Sequence, residues 1–388
     1  MHFAAIGIAA LSLLIWIGLF FFNGHFWQIW ISDADREAVP PPASWPSVVA
    51  IVPARNEATT IAQTVAGLAA QDYPGKFSIV VVDDHSEDGT AEIARKAGVD
   101  SGAKDRVHIL SAPSLAASWT GKLWALQSGV EFARADQPGF FWFTDADIVH
   151  GRDTLRRLIS RAERDQLDLT SLMVLLQAQS FAEKLLIPPF LYFFLMLYPP
   201  RWIANPKART AGAAGGCMLL RGTALAKIGG LATIRSEVID DCSLARAVKK
   251  VGGQIWMGLT RKSVSLRRYL RLSELRDMIA RTAFTQLSYS VLRLIGTLIG
   301  LVLTFVAPVV LALSSAPPVW ATALLAWCLM SASFLPTVIF YRLSPLWSPF
   351  LPIAALFYSY ATFLSALRYW LGRGGQWKGR SQAPSSEH

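Results

Sequence analysis

Cysteine is scarce in this chain, and charge is missing from its longest apolar stretches. Cys217, Cys242 and Cys328 are an odd number without metal-like spacing, which supports neither a disulfide framework nor a zinc site and fits a reducing compartment. No basic stretch precedes the first apolar run, and no small-residue cleavage site follows it. Phe3 to Phe22 therefore reads as an uncleaved membrane anchor, with Trp27 and Trp30 as interfacial residues. Three later runs, Leu294 to Leu313, Val319 to Tyr341 and Ser348 to Leu367, are also free of internal charge. Each is long enough to cross a hydrocarbon core of roughly 30 Å as a helix. Internal repeats and low-complexity tracts are absent; Pro40-Pro41-Pro42 to Pro46 reads as a stiff linker.

What is present is 53% hydrophobic residues and a net charge of +10. The basic residues gather beside the apolar runs, at Arg261-Lys262, Arg267-Arg268, Arg271 and Arg276, so an anionic lipid surface rather than nucleic acid is the expected partner. The same clustering puts the central domain on the cytoplasmic side of a cell (inner) membrane that the chain crosses several times. Four spans would leave both termini outside, whereas the basic tail residues Arg373, Lys378 and Arg380 argue for inside. A re-entrant segment or a different span count would reconcile the two. The expected organisation is an anchor (1–30), a linker (31–46), an α/β domain (47–260), a basic amphipathic region (261–290), membrane segments (291–370) and a basic tail (371–388).

The central domain carries three apolar strands that end in acids. Phe140-Phe141-Trp142-Phe143 leads into Thr144-Asp145-Ala146-Asp147, Ile79-Val80-Val81-Val82 into Asp83-Asp84, and Val48 to Val52 into Pro53-Ala54-Arg55-Asn56-Glu57. Strands delivering acids to one edge and then running into helical patterns make a nucleotide-binding α/β sheet. Asp145 and Asp147 are placed to share a divalent cation through hard oxygen ligands, which suits a diphosphate. Alone, an Asp-x-Asp pair is as easily a helix-start feature, and Asp153 ahead of Thr154 to Leu158 meets that need.

Four further stretches carry chemistry or its bland equivalent. Lys122 follows Gly121 at a helix start, where charge and dipole favour phosphate, or it is simply a solvated first-turn lysine. Gly215-Gly216 lets backbone approach a bulky ligand, or forms a tight turn into a strand. Asp240-Asp241 precedes a helical pattern, either as first-turn acids or with Asp241 as a general base. Phe181 to Trp202 is dense in apolar residues but holds Pro188-Pro189, and reads as an interfacial segment on the bilayer (181–202) or a buried core helix.

As a set, Pro53 to Glu57, Asp83 to Thr90, Gly121-Lys122, Thr144 to Asp147, Gly215-Gly216 and Asp240-Asp241 resemble the family 2 glycosyltransferases of the GT-A (Rossmann-like) fold. Within them, Trp119 to Ala125, Ala213 to Arg221, Ile239 to Cys242 and Ala280 to Leu287 are similar to the membrane-bound, hopene-associated enzymes of hopanoid gene clusters. The resemblance implies a GT-A domain with one N-terminal and about three C-terminal transmembrane helices. It implies donor binding by Pro53, Glu57, Asp84, Lys122 and Asp145, a Mg²⁺ or Mn²⁺ ion on Asp147 and Asp145, and a catalytic pair in which Asp241 is the base, with Asp240 beside it. Gly215, Gly216, Arg281 and Gln286 would lie on the acceptor side. The implied reaction is inverting transfer of one sugar from a UDP-sugar to a lipid hydroxyl such as a hopanoid.

The chain departs from processive and ceramide-type relatives, whose acceptor motif is Gln or Arg, two residues, then Arg-Trp; here Met278 and Arg281-Thr282 stand in those places, against polymer synthesis. A polyprenyl-phosphate sugar synthase and an inactive membrane scaffold are the competing readings. The scaffold reading predicts erosion of the acidic set, and none is seen. Nucleotidyl transfer lacks its glycine- and basic-rich phosphate loop.

Overall fold

The computed structural model describes residues 2–29, 40–372, 376–377 and 380–381. Trp30, residues 31–39 of the expected linker, and residues 373–375, 378–379 and 382–388 of the expected tail lie outside the described residues. Within the described residues the chain forms two compact units. One holds the chain up to Ile29, Gln177–Arg201 and residues 268–372; the other holds residues 40–176, Trp202–Arg267 and the described residues from Gln376 on.

The second unit is built on an eight-stranded sheet. Its strands are β1 (Val48–Ala54), β2 (Phe77–Asp83), β3 (Val107–Ser111), β4 (Phe140–Phe143), β5 (Ile148–Val149), β6 (Leu169–Leu175), β7 (Met218–Arg221) and β8 (Ile255–Ser265), in the order β3-β2-β1-β4-β7-β6-β8-β5. Strands β3, β2, β1 and β4 run parallel, with Val48 opposite both Phe77 and Phe140. β7 is antiparallel to both β4 and β6, and β5 is antiparallel to β8. Every residue of β1 and β4 is buried, as expected for strands covered by helices on both faces.

One face, with Ala50, Val52, Ile79, Val81 and Trp142, joins a core with Ile61, Val65 and Leu68 of one helix and Leu155, Leu158 and Ile159 of another. The other face receives the helix Gly121–Ala133 so closely that a Cβ at Gly129 would lie 2.5 Å from Ile51 Cγ2. The parallel register brings the ends of β1, β2 and β4 to one edge, and with them Glu57, Asp84 and Asp145. β8 continues to Ser265, past residue 260, because Arg261 and Lys262 sit on a strand whose neighbouring positions are buried.

The first unit is helical. Five helices among the described residues are long and apolar enough to cross a membrane: Phe3–Phe22, Phe181–Ala204, Val291–Ala312, Pro317–Phe340 and Pro345–Trp370. Four match the expected spans; the addition is Phe181–Ala204, whose helix Phe181–Leu197 runs straight through Pro188 and Pro189. Proline is tolerated in apolar helices when neighbouring helices supply the packing. Here Tyr192 bonds Ser333 at 2.6 Å, and Tyr358 donates its hydroxyl to the Leu186 carbonyl at 2.9 Å. The start of this helix is closed by a capping box between Ser180 and the fully buried Glu183. Trp27 stacks on Phe20 and donates Nε1 to its carbonyl.

Candidate active site

The loops after β1 and β2 are knitted together before any ligand is considered. Asn56 and His85 both adopt left-handed backbone, a conformation that Asn tolerates better than most residues. Asn56 accepts from the Glu87 N–H and donates its own N–H to Ser86, while the Glu57 N–H donates to Thr90 Oγ1 at 2.8 Å. Arg55 lies 3.5 Å from the carboxylate of Asp84, which is 1% exposed. Pro53 is buried as the penultimate residue of β1, opposite Val82. Five of the positions singled out in the sequence, Pro53, Glu57, Asp84, Asp145 and Asp147, thus occupy one edge of the sheet or the loops leaving it.

Asp147 lies in the short turn between β4 and β5. Ser265 Oγ donates to its carboxylate at 3.0 Å, and the Leu266 N–H to its carbonyl at 2.7 Å. Burial and the like charges of Asp145 and Glu57 push its carboxyl up to about 6, against the opposing pull of Ser265 and Arg267. Among the described residues, no three or more His, Cys, Asp or Glu side chains gather as a metal cage.

Lys122 is the second residue of the helix Gly121–Ala133, as its sequence position suggests, but it is not a solvated lysine. Its Nζ lies 3.0 Å from Asp145 Oδ1 and 3.1 Å from Asp240 Oδ2. Burial favours its neutral form, yet Asp145, Asp240 and Asp241 outweigh that and hold the ammonium well above the ordinary lysine value. One cation therefore ties the acid following β4 to the acids that open the helix Asp240–Lys250.

Asp241 is held by backbone. Its Oδ2 accepts from the Gly215 N–H at 2.9 Å and its Oδ1 from the Cys242 N–H at 2.7 Å. Burial and the adjacent Asp240 push its carboxyl up to about 6, offset by Lys122 and the two N–H donors. A carboxylate titrating near 6 is a competent proton acceptor at neutral pH. Gly215 lacks a side chain for a reason: a Cβ there would lie 3.3 Å from both Asp241 Oδ2 and Lys122 Nζ. At Gly216 it would meet Val174 Cγ2 at 3.1 Å.

Arg281 and Gln286, the remaining expected acceptor-side residues, belong to the helical unit. Arg281 is exposed just after the helix Leu272–Ala280, and Gln286 closes the helix Ala283–Gln286, donating Nε2 to Tyr198 at 2.6 Å. Asp153 precedes its helix but does not cap it by side chain; Arg157 and Lys262 take its carboxylate at 2.7 and 2.8 Å. Sequence reading missed Ser265 and His150, and named Thr144 only as the start of the acid stretch. No spacing signal marks Ser265, whereas Thr144 and His150 flank the acid pair and are conspicuous as polar residues beside buried strands.

Residues 49–229 match the family model described as Glycosyl transferase family 2. Among curated proteins, the chain is 30% identical over 121 residues to the 4,4'-diaponeurosporenoate glycosyltransferase of Staphylococcus haemolyticus, covering 31% of this chain and 29% of that protein. It is 31% identical over 125 residues to the glycosyltransferase AglE of Haloferax volcanii, covering 32% and 38%. The matches thus span well under half the length of these relatives. Among solved structures, the mannosyltransferase PcManGT from Pyrobaculum calidifontis, in complex with GDP-Man and Mn2+, aligns with 94% of this chain and 99% of its own, at a TM-score of 0.55 and 19% identity. Sheet order, acid-bearing edge and these matches converge: residues 49–229 are similar to glycosyl transferase family 2, on a mixed α/β, Rossmann-like sheet that shares its fold with this mannosyltransferase.

Proposed function

We propose that the protein is a membrane-bound, inverting glycosyltransferase that moves one sugar from a nucleotide-sugar, UDP-linked, to the hydroxyl of a lipid, with a hopanoid as the acceptor. The observation that carries this reading is the cluster in which Lys122 bridges Asp145 and Asp240 while Gly215 holds Asp241. A donor-side acid and the acid next to the proton acceptor are thereby joined through one cation, which brings donor and base side by side for a single displacement. The five long apolar helices support the membrane and the lipid acceptor.

In this reading Glu57 and Asp84 contact the nucleoside, with Pro53 shaping the strand end beneath it. Asp241 takes the proton of the acceptor hydroxyl as its oxygen forms a bond to the anomeric carbon. The bond from that carbon to the diphosphate breaks in the same step, and the nucleoside diphosphate leaves with the electron pair. Attack opposite the leaving group inverts the centre. Lys122 keeps its proton throughout and offers its ammonium to the diphosphate oxygens. Gly215 and Gly216 keep the acceptor approach clear of side chains.

The acid pair fits a divalent cation. Asp145 and Asp147 are two hard carboxylates, and the ionisation of Asp147 is opposed by burial and by like charge, so the pair would hold Mg²⁺ or Mn²⁺. When bound there by Asp145 and Asp147, the ion supplies charge neutralisation on the diphosphate.

The test is calorimetric titration of the detergent-solubilised protein with UDP and with GDP, with and without Mn²⁺, beside Asp147→Ala. Metal-dependent binding of UDP that the variant loses supports the donor site and leads to screening UDP-sugars against hopanoid and other lipid hydroxyls. Preference for GDP removes the uridine assignment; no binding of either to a folded protein removes the reading.

A further inference from the structure

Behind the acid pair runs a buried chain of hydrogen bonds that the proposed reaction does not use. Ser263 Oγ lies 2.9 Å from His150 Nδ1, His150 Nε2 lies 2.8 Å from Thr144 Oγ1, and Thr144 donates to the Gly216 carbonyl at 3.0 Å. The three side chains are 0, 3 and 1% exposed. A hydroxyl has one proton to give. Since Thr144 gives its proton to Gly216, it accepts from His150, which fixes the Nε2–H tautomer. The bare Nδ1 then accepts from Ser263. Burial pulls the imidazole down to about 3, so it is neutral, and its ring lies against Trp142 at 4.6 Å.

Each end of this chain abuts the site. Thr144 directly precedes Asp145. Ser263 lies on β8 close to Ser265, the donor to Asp147. Gly216 directly follows Gly215, the donor to Asp241. We infer that His150 is a positioning residue that fixes the acid pair and the Gly215–Asp241 hydrogen bond at a set separation, through Thr144 and Ser263. The structural half stands on these contacts alone; the catalytic half rests on the glycosyl-transfer reading. A satisfied buried histidine is a common structural feature, so the test must separate packing from positioning.

Thr144→Val keeps the shape and removes the hydroxyl, while Thr144→Ser keeps the hydroxyl; His150→Phe removes both ring nitrogens. The first arm needs no ligand. Amide hydrogen exchange on the full-length protein in detergent is expected to rise in the segment 213–217 for Thr144→Val and His150→Phe, and to stay at the wild-type rate for Thr144→Ser. Unchanged exchange in the first two, or an equal rise in all three, overturns the inference.

The second arm follows UDP release from UDP-glucose and GDP release from GDP-mannose, using whichever the wild type turns over. A misplacement of this kind is expected to lower kcat by about ten- to a hundredfold with donor KM within about threefold, and Thr144→Ser is expected to restore kcat. The double variant Thr144→Val/His150→Phe is expected to be no worse than the poorer single, since both break one chain. Multiplicative losses, or a loss confined to KM, overturn the positioning role. A wild type that turns over neither donor counts against the donor assignment, and the exchange arm then decides the inference alone.

Discussion

Gly215 donates its backbone N–H to Asp241 Oδ2 at 2.9 Å, and a side chain at 215 would stand 3.3 Å from that same oxygen. The glycine is therefore required for proximity and not for backbone freedom, since its φ lies outside the left-handed region. Gly215→Ala is expected to fold, with its melting temperature in detergent within a few degrees of wild type, roughly a 1 kcal/mol effect or less. Displacing the Asp241 carboxylate and Lys122 is expected to cost about tenfold or more in kcat. Initial-rate kinetics beside thermal unfolding check this; an alanine variant with full kcat would mean the contact yields without consequence.

Asp241→Asn removes the proton acceptor while keeping its shape, and a lost general base typically costs about two to four orders of magnitude in kcat. Because the wild-type carboxyl is raised to about 6, kcat is expected to climb with pH through 6 and then level, and the variant should lack that limb. Stability moves the other way. A carboxyl raised on folding contributes stability below its ordinary range and loses it as pH rises through about 6. The Asn variant should therefore outlast wild type in thermal unfolding at pH 8, with the gap closing towards pH 5. Retention of near-full rate would favour a phosphate acceptor, which needs no base.

The parts of this architecture written as local patterns are readable, and those made by distant elements are not. Val48 to Val52, Ile79 to Val82 and Phe140 to Phe143 are apolar on both faces and end in acids, so the parallel half of the sheet and its edge follow from composition and order. β8 hides because Arg261 and Lys262 interrupt it and suggest a basic surface instead. β5 has only two residues, too few for a periodic signal. The helix through Pro188-Pro189 overrides the expectation that proline breaks a helix, because neighbouring helices pack against it, as at Tyr192–Ser333 and Tyr358–Leu186. Lys122 is legible as a helix-start lysine, but its two carboxylate partners come from residues 145 and 240, and no spacing reveals that they meet. Ser265 is invisible for the same reason.

Asp147 faces two like charges, so Asp147→Asn should relieve repulsion in the metal-free protein while removing an oxygen ligand. Without metal, the variant is expected to melt at or above the wild-type temperature at pH 8. With Mn²⁺, its affinity for UDP or GDP is expected to fall to the level that wild type shows without metal, an effect of about tenfold or more for loss of a carboxylate ligand. Titration calorimetry and differential scanning measure the two halves separately. A variant that melts lower and still binds nucleotide in a metal-dependent way would make Asp147 structural.

Lys122 offers the most discriminating substitution, because the same ammonium neutralises Asp145 and Asp240 and restrains Asp241. Lys122→Met leaves three neighbouring acids without it. Removing one partner of a largely buried ion pair costs about 3 kcal/mol, less where solvent reaches the acids, as it does at Asp145. The pull of Lys122 on Asp241 would also vanish, so the Asp241 carboxyl should rise above 6 and carry the acid limb of the pH–rate profile to higher pH. Lys122→Arg retains the charge and should keep the limb near its wild-type position, though the wider guanidinium is expected to lower kcat. A limb that stays put in Lys122→Met would mean that Asp241 is not the group that sets it, and a different proton acceptor would then have to be sought along the same sheet edge.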